Sequence, residues 1–263
     1  MIRAIFFDID GTLLDRHTHL CPESTRQALQ QLQREGIKLF IATGRNPLDL
    51  TKDEILQDTR CVFDAYLTCN GQYCYNQKGI LYENTLPKST LEKLMTLYGK
   101  DPWPMLVFRP DGRFAIGDGQ DPRFLTANQA FDVKDMVFTD IRTALNGEVL
   151  QILCYQQEGE LPDPVKELPQ VKKIRWHPCG YDMVPSNGGK KDAIQKILAI
   201  YGFSAQEAMA FGDGENDADM LSAVGIGVAM GNGCKAAKDA ATYVTTEIYA
   251  DGVAQALTHF GLL

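Results

Sequence analysis

Apolar positions fall into short β-branched and aromatic runs separated by stretches of helical spacing, and the alternation is most regular toward the two ends of the chain. Ile5 to Phe7 form the first run, cut off by Asp8-Ile9-Asp10-Gly11-Thr12 before Leu13 and Leu14 resume. Such a run reads as a strand buried on both faces, as a parallel α/β sheet requires. In TRQALQQLQREG, Ala28, Leu29 and Leu32 make one apolar stripe and Gly36 ends the predicted helix. A strand over 37–42, a helix over 47–57, a strand over 65–69 and a hairpin around 76–79 continue the series. Strand, helix and strand joined by short loops imply a right-handed crossover, so both strand ends reach the same sheet edge.

The rhythm changes between about 83 and 183. Here the pattern predicts a helix, strands over 105–109 and 113–116, another helix, then strands over 149–155 and 173–177. This segment reads as an α/β insertion built on an antiparallel sheet. From Gly189 the βα rhythm returns, with helices over 191–201, 217–223 and 234–240, strands over 208–211, 226–229 and 243–245, and a last helix from about 252. The expected fold is therefore α/β, a doubly wound parallel sheet formed by 1–82 and 184–263, with an inserted α/β domain over 83–183.

Composition narrows the function classes. The 263 residues are 44% hydrophobic, ample for packed cores, and their formal net charge of −8, with no basic run beyond two lysines, argues against a nucleic-acid partner. No run approaches the roughly 18 apolar residues of a membrane span, and the first strand begins almost at once, so a cytosolic chain without a leader is expected. Seven scattered cysteines without a C-x-x-C pair read as reduced thiols. Oligomeric state leaves no sign in the sequence.

Two acidic clusters change the picture. Alternation along the first strand puts Asp8 and Asp10 on one side, where like charges repel and unpaired carboxylates are costly. Gly212-Asp213-Gly214-Glu215-Asn216-Asp217 follows a second apolar strand in the same way. In an open α/β sheet the ligand crevice lies beyond the carboxyl ends of the strands, and Asp8, Asp10, Thr43, Asp213, Asn216 and Asp217 all fall there. Three or four carboxylates around one point call for a hard divalent cation, and Mg²⁺ suits a phosphate-bearing ligand. Lys190 opens a helix at the same edge, where helix amino ends favour anions. His17 and His19 read as solvated loop residues.

The set Asp8-x-Asp10-Gly-Thr-Leu, Thr43-Gly44-Arg45, Lys190 and Gly-Asp213-Gly-x-Asn216-Asp217 resembles, in order and spacing, the haloacid dehalogenase superfamily. More closely the chain looks like the Cof-type (type IIB) sugar-phosphate phosphatases, which carry a large α/β cap between the second and third motifs. The likeness runs through the glycine-rich tail from Val224 to Val253.

The resemblance implies a Mg²⁺-dependent phosphatase acting on small phosphorylated metabolites through an aspartyl-phosphate. Asp8 is then the nucleophile and Asp10 the acid that protonates the leaving oxygen and later activates water. Asp8 is expected to be anionic and Asp10 to start protonated, with their closeness separating the two titrations. Thr43 and Gly44 would hold phosphoryl oxygens, together with Lys190 and Asn216. The metal would be held by Asp8, the Asp10 carbonyl, Asp213 and Asp217, and the cap would close over the site and set specificity. Thr43 stands where many relatives have serine, and Lys191 where glycine is common. Arg45 is left between a phosphate contact and a loop brace. None of Arg109, Arg113, Arg123, His177 and Asp182 is assigned. A phosphomutase of the same superfamily, or a phosphate sensor without turnover, are the alternative readings.

Overall fold

Ala4–Phe7 (β1) alternates strictly: Ile5 and Phe7 enter one core, Ala4 and Phe6 the other, so a four-residue strand anchors two apolar layers. The computed structural model describes residues 1–51, 55–131, 136–157, 159, 163–168 and 170–263. Contacts divide the chain into two compact units, Met1–Tyr82 with Gly189–Leu263, and Glu83–Gly188.

The first unit runs through Glu23–Arg34 (α1), Lys38–Ala42 (β2), Pro47–Thr51 (α2), Ala65–Thr68 (β3), Tyr73–Asn76 (β4) and Gly79–Glu83 (β5). The expected helix over 47–57 is described only as α2; residues 52–54 lie outside the described residues, and Gln57–Thr59 form a 3₁₀ turn. In the second unit follow Lys88–Tyr98 (α3), Met105–Arg109 (β6), Gly112–Ile116 (β7), Pro122–Phe131 (α4), Val137–Phe138 (β8), Ile141–Ala144 (α5), Gln151–Cys154 (β9), Pro164–Glu167 (α6), Val171–His177 (β10) and Gly180–Pro185 (β11). The chain returns to the first unit with Lys190–Tyr201 (α7), Ala208–Gly212 (β12), Ala218–Ala223 (α8), Ile226–Ala229 (β13), Lys235–Ala240 (α9), Tyr243–Val244 (β14) and Gly252–His259 (α10).

The first unit's eight strands are ordered β14-β13-β12-β1-β2-β3-β4-β5, parallel from β14 to β3, with β4 antiparallel to β3. Sequence-distant strands β1 and β12 are therefore neighbours, and Phe7 pairs with Phe211. Their rings stack at 5.2 Å on one face, while Phe6 and Phe40 stack at 4.7 Å on the other. Ala28, Leu29 and Leu32 of α1 join Val253, Ala256 and Leu257 of α10 in the first core. Ile194, Ile197 and Leu198 of α7, Met220 and Leu221 of α8 and Ala237 of α9 fill the second. Helices thus cover both faces, as a doubly wound sheet demands.

The second unit's sheet is ordered β10-β11-β9-β6-β7-β8. It is antiparallel except that β8 runs parallel to β7, a short edge strand the sequence pattern does not predict. Strand β11 is also unanticipated, and it carries this unit on to Gly188 rather than stopping at 183. Its cause is plain in the register: Met183 and Tyr181 pair with Ile152 and Cys154 and share their core.

Candidate active site

The parallel strands deliver their carboxyl ends to one edge, and three of the motifs follow such an end: Asp8 after β1, Thr43 after β2, Asp213 after β12. The sheet hydrogen bonding runs into the site, since the Asp8 amide donates to the Phe211 carbonyl at 3.0 Å and the Thr43 amide to the Leu67 carbonyl at 2.8 Å.

At the centre lies Lys190, 1% exposed, at the start of α7. Its Nζ donates to Asp8 Oδ1 and to Asp217 Oδ1, both at 2.6 Å. Neighbouring Lys191 is exposed, which settles which lysine enters the cluster. Asp217 Oδ2 in turn accepts from the amides of Asp213 and Gly214 at 2.8 Å, fixing the second acidic loop. Gly212 permits this: a Cβ there would lie 2.5 Å from that of Asp217.

Asp8, Asp213 and Asp217, all buried, offer oxygens within 4.8 Å of one another. Burial, and then the Asp217 charge, push Asp8 up to about 8 against the opposing pull of Lys190. Burial also raises Asp213, with Arg16 opposing it. Two of these buried carboxylates share one buried lysine and the third meets the half-exposed Arg16, so the chemistry of this donor set fits a hard, oxygen-seeking divalent cation.

Asp10 stands differently from expectation. Its carboxylate is clamped two-pronged by Arg45, Nε to Oδ2 and Nη2 to Oδ1 at 2.7 Å. Burial would raise it, but the Arg45 bonds win and hold it below the usual carboxylate range. Among the protein groups alone, then, Asp8 is pushed toward the neutral form and Asp10 is held charged by Arg45. The Arg45 side chain thus pairs with Asp10, while its backbone amide donates to Thr43 Oγ1 at 3.1 Å.

Gly44 and Asn216 also meet. Asn216 Nδ2 donates to Asn70 Oδ1 at 3.2 Å, and a Cβ at Gly44 would lie 3.4 Å from the same oxygen. Asn70, which follows β3, is a site residue the sequence pattern does not single out. Its signal is an Asn-Gly pair at a strand end, which reads as a turn; it does occupy left-handed space, with φ 52°, as asparagine tolerates. Arg16 is a second such residue: its Nη2 reaches Asp213 Oδ2 at 2.8 Å, while Thr12 Oγ1 donates to Asp213 Oδ1 at 2.9 Å. His17 and His19 are exposed, as expected.

A family model described as haloacid dehalogenase-like hydrolase matches residues 5–257. The chain belongs to this family. Among related proteins, the putative phosphatase YkrA of Bacillus subtilis (strain 168) is 34% identical over 261 residues, 99% of this chain and 98% of that one. An HMP-PP phosphatase of Cronobacter sakazakii is 30% identical over 239 residues, 88% and 85% of the two chains. A solved structure described as the HAD subclass IIB sugar phosphatase BT4131 superposes with a TM-score of 0.89 at 32% identity, covering 99% of this chain and all of that one. Within this haloacid dehalogenase-like family the chain is a phosphoric monoester hydrolase.

Proposed function

We propose that the enzyme is a Mg²⁺-dependent, Cof-like phosphatase of small cytosolic phosphomonoesters, sugar phosphates foremost, working through an aspartyl-phosphate on Asp8. The observation that carries this reading is the meeting of Asp8, Lys190, Asp213 and Asp217 at one sheet edge. Relatives described as a sugar phosphatase and as HMP-PP phosphatases support the substrate class.

Asp8, Asp213 and the Asp10 carbonyl would hold the cation, with Asp217 joining directly or through water. When bound, Mg²⁺ supplies charge neutralisation at the phosphoryl oxygens and lowers the proton affinity of Asp8. An Asp8 carboxylate oxygen forms the bond to phosphorus as the ester oxygen leaves, and that oxygen takes a proton from Asp10. Asp10 then takes a proton from water as the water oxygen bonds phosphorus, releasing inorganic phosphate and regenerating the Asp8 carboxylate. To carry the first proton, Asp10 must give up its ion pair with Arg45, and the arriving phosphate dianion is the natural competitor for that guanidinium.

Thr43, the Gly44 amide, Lys190 and Asn216 would receive the phosphoryl oxygens. Residues 83–188 would supply leaving-group selectivity. Phosphomonoester hydrolysis demands on the order of 20 kcal/mol of barrier reduction, more than positioning or charge stabilisation gives alone, so splitting the reaction on Asp8 is part of the solution.

Release of phosphate from an aryl phosphate, with and without Mg²⁺, tests the reading before a screen of phosphorylated metabolites. Metal-dependent release that disappears in Asp8→Asn supports it; undiminished release by that variant would remove Asp8 from the role.

A further inference from the structure

Asp213 has both carboxylate oxygens engaged, Oδ1 by the Thr12 hydroxyl and Oδ2 by the Arg16 guanidinium. The second contact is built into the fold. Gly11 lies at φ 90°, and a Cβ there would come within 2.5 Å of Asp213 Oδ2 and 2.8 Å of Arg16 Nε. Only glycine leaves the space in which the carboxylate and the guanidinium meet. The Gly11 carbonyl is itself held by Asn232 Nδ2 at 2.8 Å.

The loop that projects Arg16 is equally fixed. Asp15 Oδ1 accepts from the amides of His17 and Thr18 and from the Thr18 hydroxyl, at 2.7 to 3.0 Å. The Asp15 amide donates to the Leu20 carbonyl at 3.1 Å, and the His19 amide to the Asp15 carbonyl at 2.9 Å, closing the turn from both sides. Arg16 is thus aimed at Asp213 while its side chain stays 46% exposed, free to swing outward.

Without metal, Lys190 and Arg16 are the two cations paired with Asp8, Asp213 and Asp217, and with all three carboxylates ionised one negative charge would stand unanswered. A divalent cation among these carboxylates, together with Lys190, balances them without Arg16. It would also repel a guanidinium on the same carboxylate oxygen, since like charges a few ångströms apart in a partly buried site are strongly disfavoured.

We infer that Arg16 is a resident cation of this site, competing with the divalent metal for Asp213 Oδ2, so that metal entry moves Arg16 off that oxygen. This rests on the proposed metal site and adds a residue that tunes its affinity. Losing the competitor tightens metal binding, while the protein stripped of metal loses an ion pair.

The test is titration of the chelator-stripped full-length protein with Mg²⁺ by calorimetry, for wild type, Arg16→Gln, Arg16→Lys and Asp213→Asn, with thermal unfolding of each. Arg16→Gln is expected to bind Mg²⁺ about fivefold more tightly, the factor equivalent to a partly exposed ion pair. It should also unfold at a lower temperature without metal and match wild type at saturating Mg²⁺. Arg16→Lys, which keeps the charge, should fall between. Equal or weaker Mg²⁺ binding by Arg16→Gln, with Asp213→Asn binding abolished, overturns the role of Arg16 alone. Wild type that binds no Mg²⁺, or Asp213→Asn that binds as wild type does, overturns the metal site and this inference with it.

Discussion

Lys190 is legible in the sequence only as one of two adjacent lysines, and burial makes the choice. Removing it leaves Asp8 and Asp217 buried without a counter-charge. Lys190→Met is therefore expected to cost about 3–5 kcal/mol in chelator-treated protein, measured by denaturant unfolding; a loss near zero would mean the pairs are not desolvated. Asp15 offers the pH-dependent counterpart. Burial would raise its carboxyl, but hydrogen bonds from Tyr249, Thr18 and His17 hold it down at about 2. A depressed carboxyl contributes stability above its unfolded value near 4 and loses it as pH falls through about 2. Asp15→Asn should thus unfold more easily than wild type at neutral pH, with the gap narrowing below pH 4; a constant gap would show that the charge is not what matters. The acids were readable because carboxylates closing an apolar strand are costly. Arg16 and Asn70 were not, because a charged loop residue and an Asn-Gly turn are ordinary in any chain.

At the level of elements, the strands and helices of the sheet with a parallel core were the most legible, since burial on both faces leaves unbroken apolar runs. Ile226–Ala229 coincides with its expected span. Strand β11 hid because Asp182 interrupts its apolar run and Gly180 and Pro185 bound it as turn residues would. The packing of α7 gives an element-scale test. Gly71, at φ 85°, would place a Cβ 2.4 Å from that of Ala193 and 2.8 Å from the Gly189 carbonyl oxygen, one residue before Lys190. Gly71→Ala combines overpacking with a strained backbone and should cost about 1–3 kcal/mol while lowering turnover, as the start of α7 is displaced. Unchanged thermal stability would show that the turn and helix can part without loss.

For the whole molecule, the sequence anticipates a sheet assembled from both ends of the chain around an inserted unit, and the pairing of β1 with β12 is what brings Asp8 close to Asp213 and Asp217. No helix among the described residues is long and apolar enough to cross a membrane. The register that joins the second unit's strands escaped the sequence because antiparallel pairing there depends on side chains meeting across the sheet rather than on local spacing. A cation binding the folded form alone must stabilise it by mass action, by about 2.7 kcal/mol at a hundredfold excess over its dissociation constant. The unfolding temperature should therefore rise with Mg²⁺ concentration in wild type and stay flat in Asp213→Asn; parallel rises in both would place the ion elsewhere.

The most direct measurement is acid quenching of the Mg²⁺-loaded enzyme during turnover of a phosphomonoester, followed by peptide mass mapping. A phosphoryl group on the peptide containing Asp8, absent in Asp8→Asn, is the expected result. Turnover by wild type with no adduct on that peptide at any quench time, and turnover surviving in Asp8→Asn, would contradict nucleophilic attack by Asp8.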